Sequence, residues 1–297
     1  MIMECDQKEK IVYRDQLLHY GIYLPEETPY FWGDVPWHWH NEFEFAYMVG
    51  GSMYYKTSHE EFTVNEGDGI FINSGVLHFL HPLEPRERVK LQVQFFDRSF
   101  LAGTEGSLLD LKYITPVLEN KQFAAVPLLQ TDERGRFILE SMKAAATLSL
   151  QGERFFELRL RNLYSQVWEI LYEWALEKGN QKSYQSRDDE RIKTMISYIQ
   201  EHCLEKIDIE AIASSVPVSA RECHRLFQTN LGTTPIKFLI SCRLQKAAEL
   251  LIQTEKSILE IAVETGFGTS SYFGKIFRQY HQVTPMQYRR RNHLEHR

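Results

Sequence analysis

The stretch Ser257-Ile-Leu-Glu-Ile-Ala-Val-Glu-Thr-Gly-Phe-Gly-Thr-Ser-Ser-Tyr-Phe-Gly-Lys-Ile-Phe-Arg-Gln-Tyr280 reads as two short helices joined by a tight turn. Ser257 and Glu260 have the S-x-x-E spacing of a capping box, in which each side chain satisfies a backbone amide at the helix start. The helix they open runs through Glu264. Gly266-Phe267-Gly268 ends it, because glycine enters the left-handed region without a Cβ penalty. Thr269 can cap a second helix reaching to about Tyr280. On that helix Phe273, Ile276, Phe277 and Tyr280 share one face, and Ser271, Lys275 and Arg278 share the other. A polar, basic face of this kind suits the major groove of DNA.

The same frame occurs 49 to 50 residues earlier. Ile209-Glu-Ala-Ile212-Ala213 matches Ile258-Leu-Glu-Ile261-Ala262, Leu226-Phe227 matches Ile276-Phe277, Thr234-Pro235 matches Thr284-Pro285, and Phe238 matches Tyr288. Val216-Pro217-Val218 makes the turn, and Ser219 with Glu222 repeats the capping-box spacing. Cys223, Leu226 and Phe227 point inward on the helix that follows, while Arg221, His224, Arg225 and Gln228 point outward. Two copies are too few for a solenoid, and a turn in the middle of each makes them paired helix-turn-helix units. Between them Thr234 caps a helix with Pro235 in its first turn. A continuous connecting helix would present both recognition helices to successive major-groove segments about 34 Å apart.

Length and composition agree with a two-part chain. The 297 residues exceed a usual single domain, and 43% hydrophobic with 25% charged residues exclude a disordered tail, a collagen-like chain or a disulfide-stapled miniprotein. The net charge of −6 hides an asymmetry. From Asp188 to Arg297 there are 15 Lys and Arg against 13 Asp and Glu, a balance of +2, which leaves −8 for the rest. No apolar run approaches the about 18 residues of a membrane span. Charges from Glu4 onward leave no apolar signal core, and Cys5, Cys203, Cys223 and Cys242 show no C-x-x-C spacing. A cytoplasmic location with no membrane association is expected.

These residues resemble the AraC/XylS family of transcriptional regulators. The resemblance covers about residues 190 to 291 and is carried by Arg243-Leu-Gln-Lys-Ala-Ala-Glu-Leu-Leu251, Ser257-Ile-Leu-Glu-Ile-Ala262, Gly266-Phe267, Ser271-Tyr-Phe273, Phe277-Arg278, Thr284-Pro285 and Tyr288-Arg289. It implies base contacts from Arg221, His224 and Arg225 of the first unit and from Ser270, Ser271 and Lys275 of the second, and Arg278, on the same outward face as Lys275, joins them as a candidate DNA contact. The chain departs from the family pattern at Pro217, where the first turn often has glycine, and at Thr269, where an acidic or amide cap is common. It departs again at Gln282, where glycine is usual and where the first copy keeps Gly232.

The N-terminal part reads differently. Phe43 to Val49, Ser52 to Lys56 and Val89 to Phe96 are aromatic and β-branched, and Gly50-Gly51, Gly67, Gly69 and Gly75 punctuate them closely, as in an antiparallel sandwich or barrel. Helical periodicity follows from Arg134 to Leu150 and from Arg154 to Glu177, with Phe156, Leu160, Leu163, Val167, Leu171 and Trp174 on one face.

Among the strands, His38-Trp39-His40 with Glu44 has the H-x-H-x-x-x-E spacing that resembles the first metal motif of cupin barrels. Gly67-x5-Asn73-x-Gly75-x-x-His78 resembles the second, with asparagine for the usual proline. Taken as one strand, residues 38, 40 and 44 share a face. The expected use is a metal-free effector pocket lined by Trp37, His38, His40, Glu44, Tyr47 and His78, with no cofactor. If the barrel binds a metal, His38, His40, Glu44 and His78 are its ligands. Tyr30-Phe31-Trp32, Trp39, Tyr54 and Tyr55 add an aromatic set suited to stacking on a sugar.

The expected architecture is multidomain α+β. Residues 1–178 form an antiparallel, cupin-like β-barrel with a helical hairpin over about 134–177, 179–189 a linker, and 190–292 an all-α double helix-turn-helix domain. The expected function is sequence-specific transcription regulation controlled by a small-molecule effector, a carbohydrate being the class considered, and not catalysis. The alternative is a metal-dependent cupin enzyme with a helical appendage. Operator DNA, the effector, a second copy of the chain in a homodimer and RNA polymerase are the candidate partners. The effector is expected to act through the N-terminal arm or the 134–177 helices.

Overall fold

The computed structural model describes residue 13 and residues 17–24, 35–84, 89–152, 154–179 and 187–294. Tyr30-Phe31-Trp32, Cys5, the arm before Tyr13 and the central linker residues 180–186 lie outside the described residues. The chain divides into two compact units, 1–186 and 187–297.

The first unit is built on strands β1 (Tyr20–Tyr23), β2 (Val35–His38), β3 (Phe43–Gly50), β4 (Ser52–Thr57), β5 (Glu61–Asn65), β6 (Gly69–Ile72), β7 (His78–Pro82), β8 (Lys90–Phe96) and β9 (Ala125–Leu128). One sheet has the order β1-β8-β3-β6-β9 and the other β2-β7-β4-β5, with every pairing antiparallel. The period-two alternation of β3 sorts its side chains between two cores. Ala46 and Met48 face the second sheet and pack with Val35, Met53, Tyr55, Val64, Leu80 and Phe95. Phe43 and Phe45 face the opposite way, into a larger cluster completed by helices.

Helices α1 (Arg98–Ala102), α2 (Thr115–Leu118), α3 (Glu133–Gln151) and α4 (Phe156–Glu177) supply that second layer. Ile138, Leu139, Met142 and Ala145 of α3 and Leu160, Tyr164, Val167, Trp168 and Leu171 of α4 recur at three- and four-residue steps and are buried against the first sheet. At Gly69 a Cβ would lie 2.5 Å from Ala46 O and 2.8 Å from Leu139 Cδ2, so glycine lets α3 close on the sheet. Gln94, fully buried on this face, accepts from Tyr20 Oη (2.7 Å) and Tyr164 Oη (2.5 Å) and donates to Met142 O (2.8 Å). Every polar atom of its amide group facing the helices is therefore paired, as burial demands.

The second unit is helical: α5 (Arg187–Glu201), α6 (Ile209–Ser214), α7 (Ala220–Leu231), α8 (Pro235–Gln253), α9 (Ile258–Glu264), α10 (Ser270–His281) and α11 (Pro285–Leu294). Helix α5 takes Arg187, Asp188 and Asp189 from the stretch expected as linker. Acidic residues at 188, 189 and 190 favour a helix start there by complementing the exposed amides. Side-chain caps open six helices of this unit: Asp208, Ser219, Thr234, Ser257, Thr269 and Thr284. Full capping boxes are present at Ser257–Glu260 and at Thr284–Gln287. At Ser219 only half forms, because the Glu222 carboxylate turns to Arg225 instead of reaching back to the Ser219 amide. No helix among the described residues is long and apolar enough to cross a membrane.

Candidate nucleic-acid interface and sensing site

In the second unit, α6 and α7 form one helix-turn-helix and α9 and α10 the other, joined by the 19-residue α8. Their inward faces are apolar. Cys223, Leu226 and Phe227 of α7 are fully buried, and Phe273 and Phe277 of α10 pack with Leu244, Ala247, Leu251, Ile261, Ala262 and Tyr288. The outward faces carry Arg221, His224 and Arg225 on α7 and Ser270, Ser271, Lys275 and Arg278 on α10, all exposed. Tyr280, expected on the inward face of α10, is 45% exposed, because the helix ends one residue later and the core there is filled by Phe277 and Tyr288.

Arg225 is not idle on that surface. Its Nε and Nη2 donate to the two Glu222 carboxylate oxygens (2.9 and 2.7 Å), and Nη2 reaches Asp188 Oδ2 at 3.0 Å. Exposed pairs of this kind hold weakly, because water screens the charges and two long side chains must be kept in one geometry. A bidentate contact to a base edge discriminates by about 1–3 kcal/mol, so DNA can compete for the guanidinium.

Arg243, part of the family-like stretch 243–251, ties elements together within the second unit. From α8 it donates Nε to Cys203 O (2.7 Å), Nη2 to Glu205 O (2.6 Å) and Nη1 to Gly266 O (3.0 Å). Burial lowers its pKa, yet three carbonyls satisfy the guanidinium. Gly266 (φ +75°) sits against it so closely that a Cβ would lie 2.8 Å from Cζ. The turn of the second helix-turn-helix, between α9 and α10, is thus pinned to the connector between α5 and α6.

In the first unit His38, His40, Glu44 and His78 come together, all buried, with one donor atom from each within 4.8 Å of every other. They do not come from one strand. His38 ends β2 and pairs with His78 of β7 in the second sheet, His40 lies in the connection, and Glu44 is on β3 of the first sheet, opposite Ile72 and Phe95. A register shift between Val35 and His38 sets two residues of β2, Pro36 and Trp37, against one of β7, Phe79. That bulge lets Val35 and His38 both face inward although they are three positions apart, an odd number of steps along the strand.

The same parity removes two residues from the expected pocket. Trp37 occupies the bulge and packs on Phe79, at 5.9 Å between ring centroids, and Phe79 alternates with the inward His78 and Leu80. Tyr47 is three residues from Glu44, so it faces the helical layer, where Lys143 Nζ lies 4.6 Å from its ring. Neither lines the site with His38, His40, Glu44 and His78. Tyr55 does face the inner core, its hydroxyl buried without a hydrogen bond and its pKa raised first by burial and then by the Glu44 charge.

Two contacts between loops hold the cluster. Gly75 N donates to His40 O (2.8 Å), and Ser74 Oγ donates to Asn41 O (2.6 Å). Asn73, buried where the motif usually has proline, donates to Val117 O and Phe123 O and accepts from the Ser74 amide, which fixes the loop that leads into His78. Glu44 Oε2 lies 3.0 Å from His40 Nε2 and 3.2 Å from His78 Nε2. Burial raises the Glu44 pKa, but the two rings beside it outweigh burial and keep it a carboxylate. Burial, then His78 and His40, push His38 well below the ordinary imidazole value.

Taken together, a helical unit with two exposed recognition helices and a β-sheet unit with an enclosed polar cluster define a DNA-binding regulator with a separate ligand-binding module. Comparison with known proteins agrees. Residues 24–154 match the family described as AraC-like ligand binding domain, and residues 212–291 match the family described as helix-turn-helix domain. The HTH-type transcriptional regulator YdeC of Bacillus subtilis is 29% identical over 263 residues, covering 88% of each chain. The HTH-type transcriptional activator RhaS of Escherichia fergusonii is 25% identical over 263 residues, covering 86% of this chain and 88% of that one. The crystal structure of an AraC-type DNA-binding regulator from Chromobacterium violaceum is 33% identical, over 35% of this chain and 92% of that one, with a TM-score of 0.34. The chain belongs to the AraC/XylS family of transcriptional regulators.

Proposed function

We propose that the regulator reads its operator with Arg221, His224 and Arg225 of α7 and with Ser270, Ser271, Lys275 and Arg278 of α10. The observation that carries this reading is the duplicated, capped turn that leaves both basic or hydroxyl-rich helix starts exposed while their opposite faces are buried. The sensing site is the polar set His38, His40, Glu44 and His78. Because Trp37 and Tyr47 face elsewhere, the effector is assigned by that polar chemistry, and carbohydrates enter as one class of an effector screen.

The regulator works as a homodimer in the cytoplasm and is not an enzyme. Leu150, Phe155 and Leu158, exposed around the turn between α3 and α4, support pairing through that end of the helical hairpin. RNA polymerase is the further partner. Effector binding changes transcription only if the two arrangements of the dimer bind it with different affinity.

Binding of the full chain to DNA fragments from its own promoter neighbourhood, across a salt series with non-specific competitor, tests the reading. Retention of one fragment supports it. Uniform weak binding that vanishes with modest salt counts against it, because phosphate contacts alone are sequence-independent.

A further inference from the structure

At the centre of the enclosed cluster, two imidazoles meet one carboxylate oxygen in contacts that are short of hydrogens. Nδ1 of His38, His40 and His78 each faces a backbone carbonyl, of Pro36 (2.8 Å), Glu42 (3.0 Å) and Val76 (2.9 Å). A carbonyl only accepts, so each Nδ1 carries the proton, and a neutral ring then has its lone pair on Nε2. Nε2 of His40 and Nε2 of His78 lie 3.0 and 3.2 Å from one and the same oxygen, Glu44 Oε2. Lone pair would face lone pair at both contacts.

Protonating both rings is one remedy, but it does not complete the site. His78 Nε2 is buried and makes no hydrogen bond, so a proton placed there is left without an acceptor in line. A second cationic ring would also stand 5.3 Å, centroid to centroid, from the first, with His38 only 4.1 Å from His78. A divalent cation among the four donors takes the facing lone pairs of His40, His78 and Glu44 at once. The carbonyl anchors on all three Nδ1 atoms are the outer partners that orient imidazole ligands of metals. The contacts from Gly75 to His40 and from Ser74 to Asn41 hold the two ligand-bearing loops in register before any ion arrives.

We propose that His38, His40, Glu44 and His78 bind one divalent first-row transition-metal ion. Three imidazoles, one carboxylate and no thiolate suit zinc, iron, manganese or nickel rather than calcium or magnesium. This goes beyond the effector reading above. Its test uses neither DNA nor effector, so either can fail alone.

The experiment uses the full chain without a polyhistidine tag, purified without added metal, then stripped with chelator and reconstituted with each ion. Elemental analysis is expected to find about one ion per chain, and reconstitution is expected to restore the melting temperature lost on stripping. Cobalt(II) in the site is expected to give visible bands of nitrogen and oxygen coordination, which His78→Gln and Glu44→Gln weaken or abolish. Should those variants not fold, stripping and reconstitution of the unaltered chain decides alone. Folded protein that takes up less than about a tenth of an ion per chain, with no change in melting temperature and no cobalt bands, overturns the proposal. Equal ion retention by folded Glu44→Gln and His78→Gln variants overturns it too, because the ion then lies elsewhere.

Discussion

The Gly75 amide donates to the His40 carbonyl across 2.8 Å, joining the loop that delivers His78 to the loop that delivers His40 and leads into Glu44. Gly75 does so at φ +69°, where a side chain is strained. The loop contact and the backbone geometry are therefore one device, and the four polar side chains depend on it although only the His40 backbone takes part in it.

Gly75→Ala is expected to cost about 1–2 kcal/mol of stability, the penalty of a Cβ in left-handed backbone. Denaturant melts of the full chain measure it. Ser74→Ala, which removes only the Asn41 contact at an exposed loop position, is expected to cost less.

Arg225→Ala and Lys275→Ala should each weaken operator binding by about 1–3 kcal/mol, about 5- to 150-fold, while leaving the melting temperature within a few degrees. Fluorescence anisotropy at fixed salt measures it. Full operator affinity in both variants would show that the helices meeting DNA have been misassigned. Glu222→Gln loosens the charge pair that holds Arg225 and is expected to strengthen binding.

Gln282 ends α10 at φ +58°, in the position where Gly232 ends α7 at φ +67°. The same left-handed geometry is free for glycine and costs a glutamine about 1 kcal/mol. Gln282→Gly gives up the exposed bond from Gln282 Nε2 to Gln279 O and is still expected to stabilise the chain by about 0.5–1 kcal/mol. Urea unfolding measures the gain, and operator affinity should not change.

His281 is packed against Phe277, Tyr280 and Tyr288, and burial lowers its pKa from 6.5 to about 4. Between those values the unfolded chain takes up a proton that the folded chain refuses. The contribution is therefore fully present above about pH 6.5 and falls away as the pH drops toward 4, at up to about 1.4 kcal/mol per pH unit. Comparing urea melts of the unaltered chain and His281→Phe at about pH 7 and about pH 5 isolates the effect. The unaltered chain should lose more stability on acidification than the variant.

Much of the helical unit was readable from the residues because its signals are local. A cap acts on an amide two or three residues away, and the 3.6-residue period sorts Phe273 and Phe277 from Lys275 and Arg278 within one helix. The helices expected over 134–150 and 154–177 occur at Glu133–Gln151 and Phe156–Glu177 for the same reason. Even here the Ser219 box was half wrong, since the Glu222 side chain has a choice of partners and Arg225 is the charged one.

What the sequence determined by itself was therefore the repeat, its capped turns, the exposed faces of α7 and α10, and the four residue types of the enclosed cluster. The tertiary structure alone decided how that cluster assembles. His38, Glu44 and His78 reach one point only through pairing between β2 and β7 and the packing of two sheets, contacts spanning tens of residues that no local period encodes. One bulged residue turned His38 inward and Trp37 outward, and one step of parity sent Tyr47 to the helices. In a strand a shift of a single residue exchanges the faces, so spacing in the chain names candidates and register chooses among them.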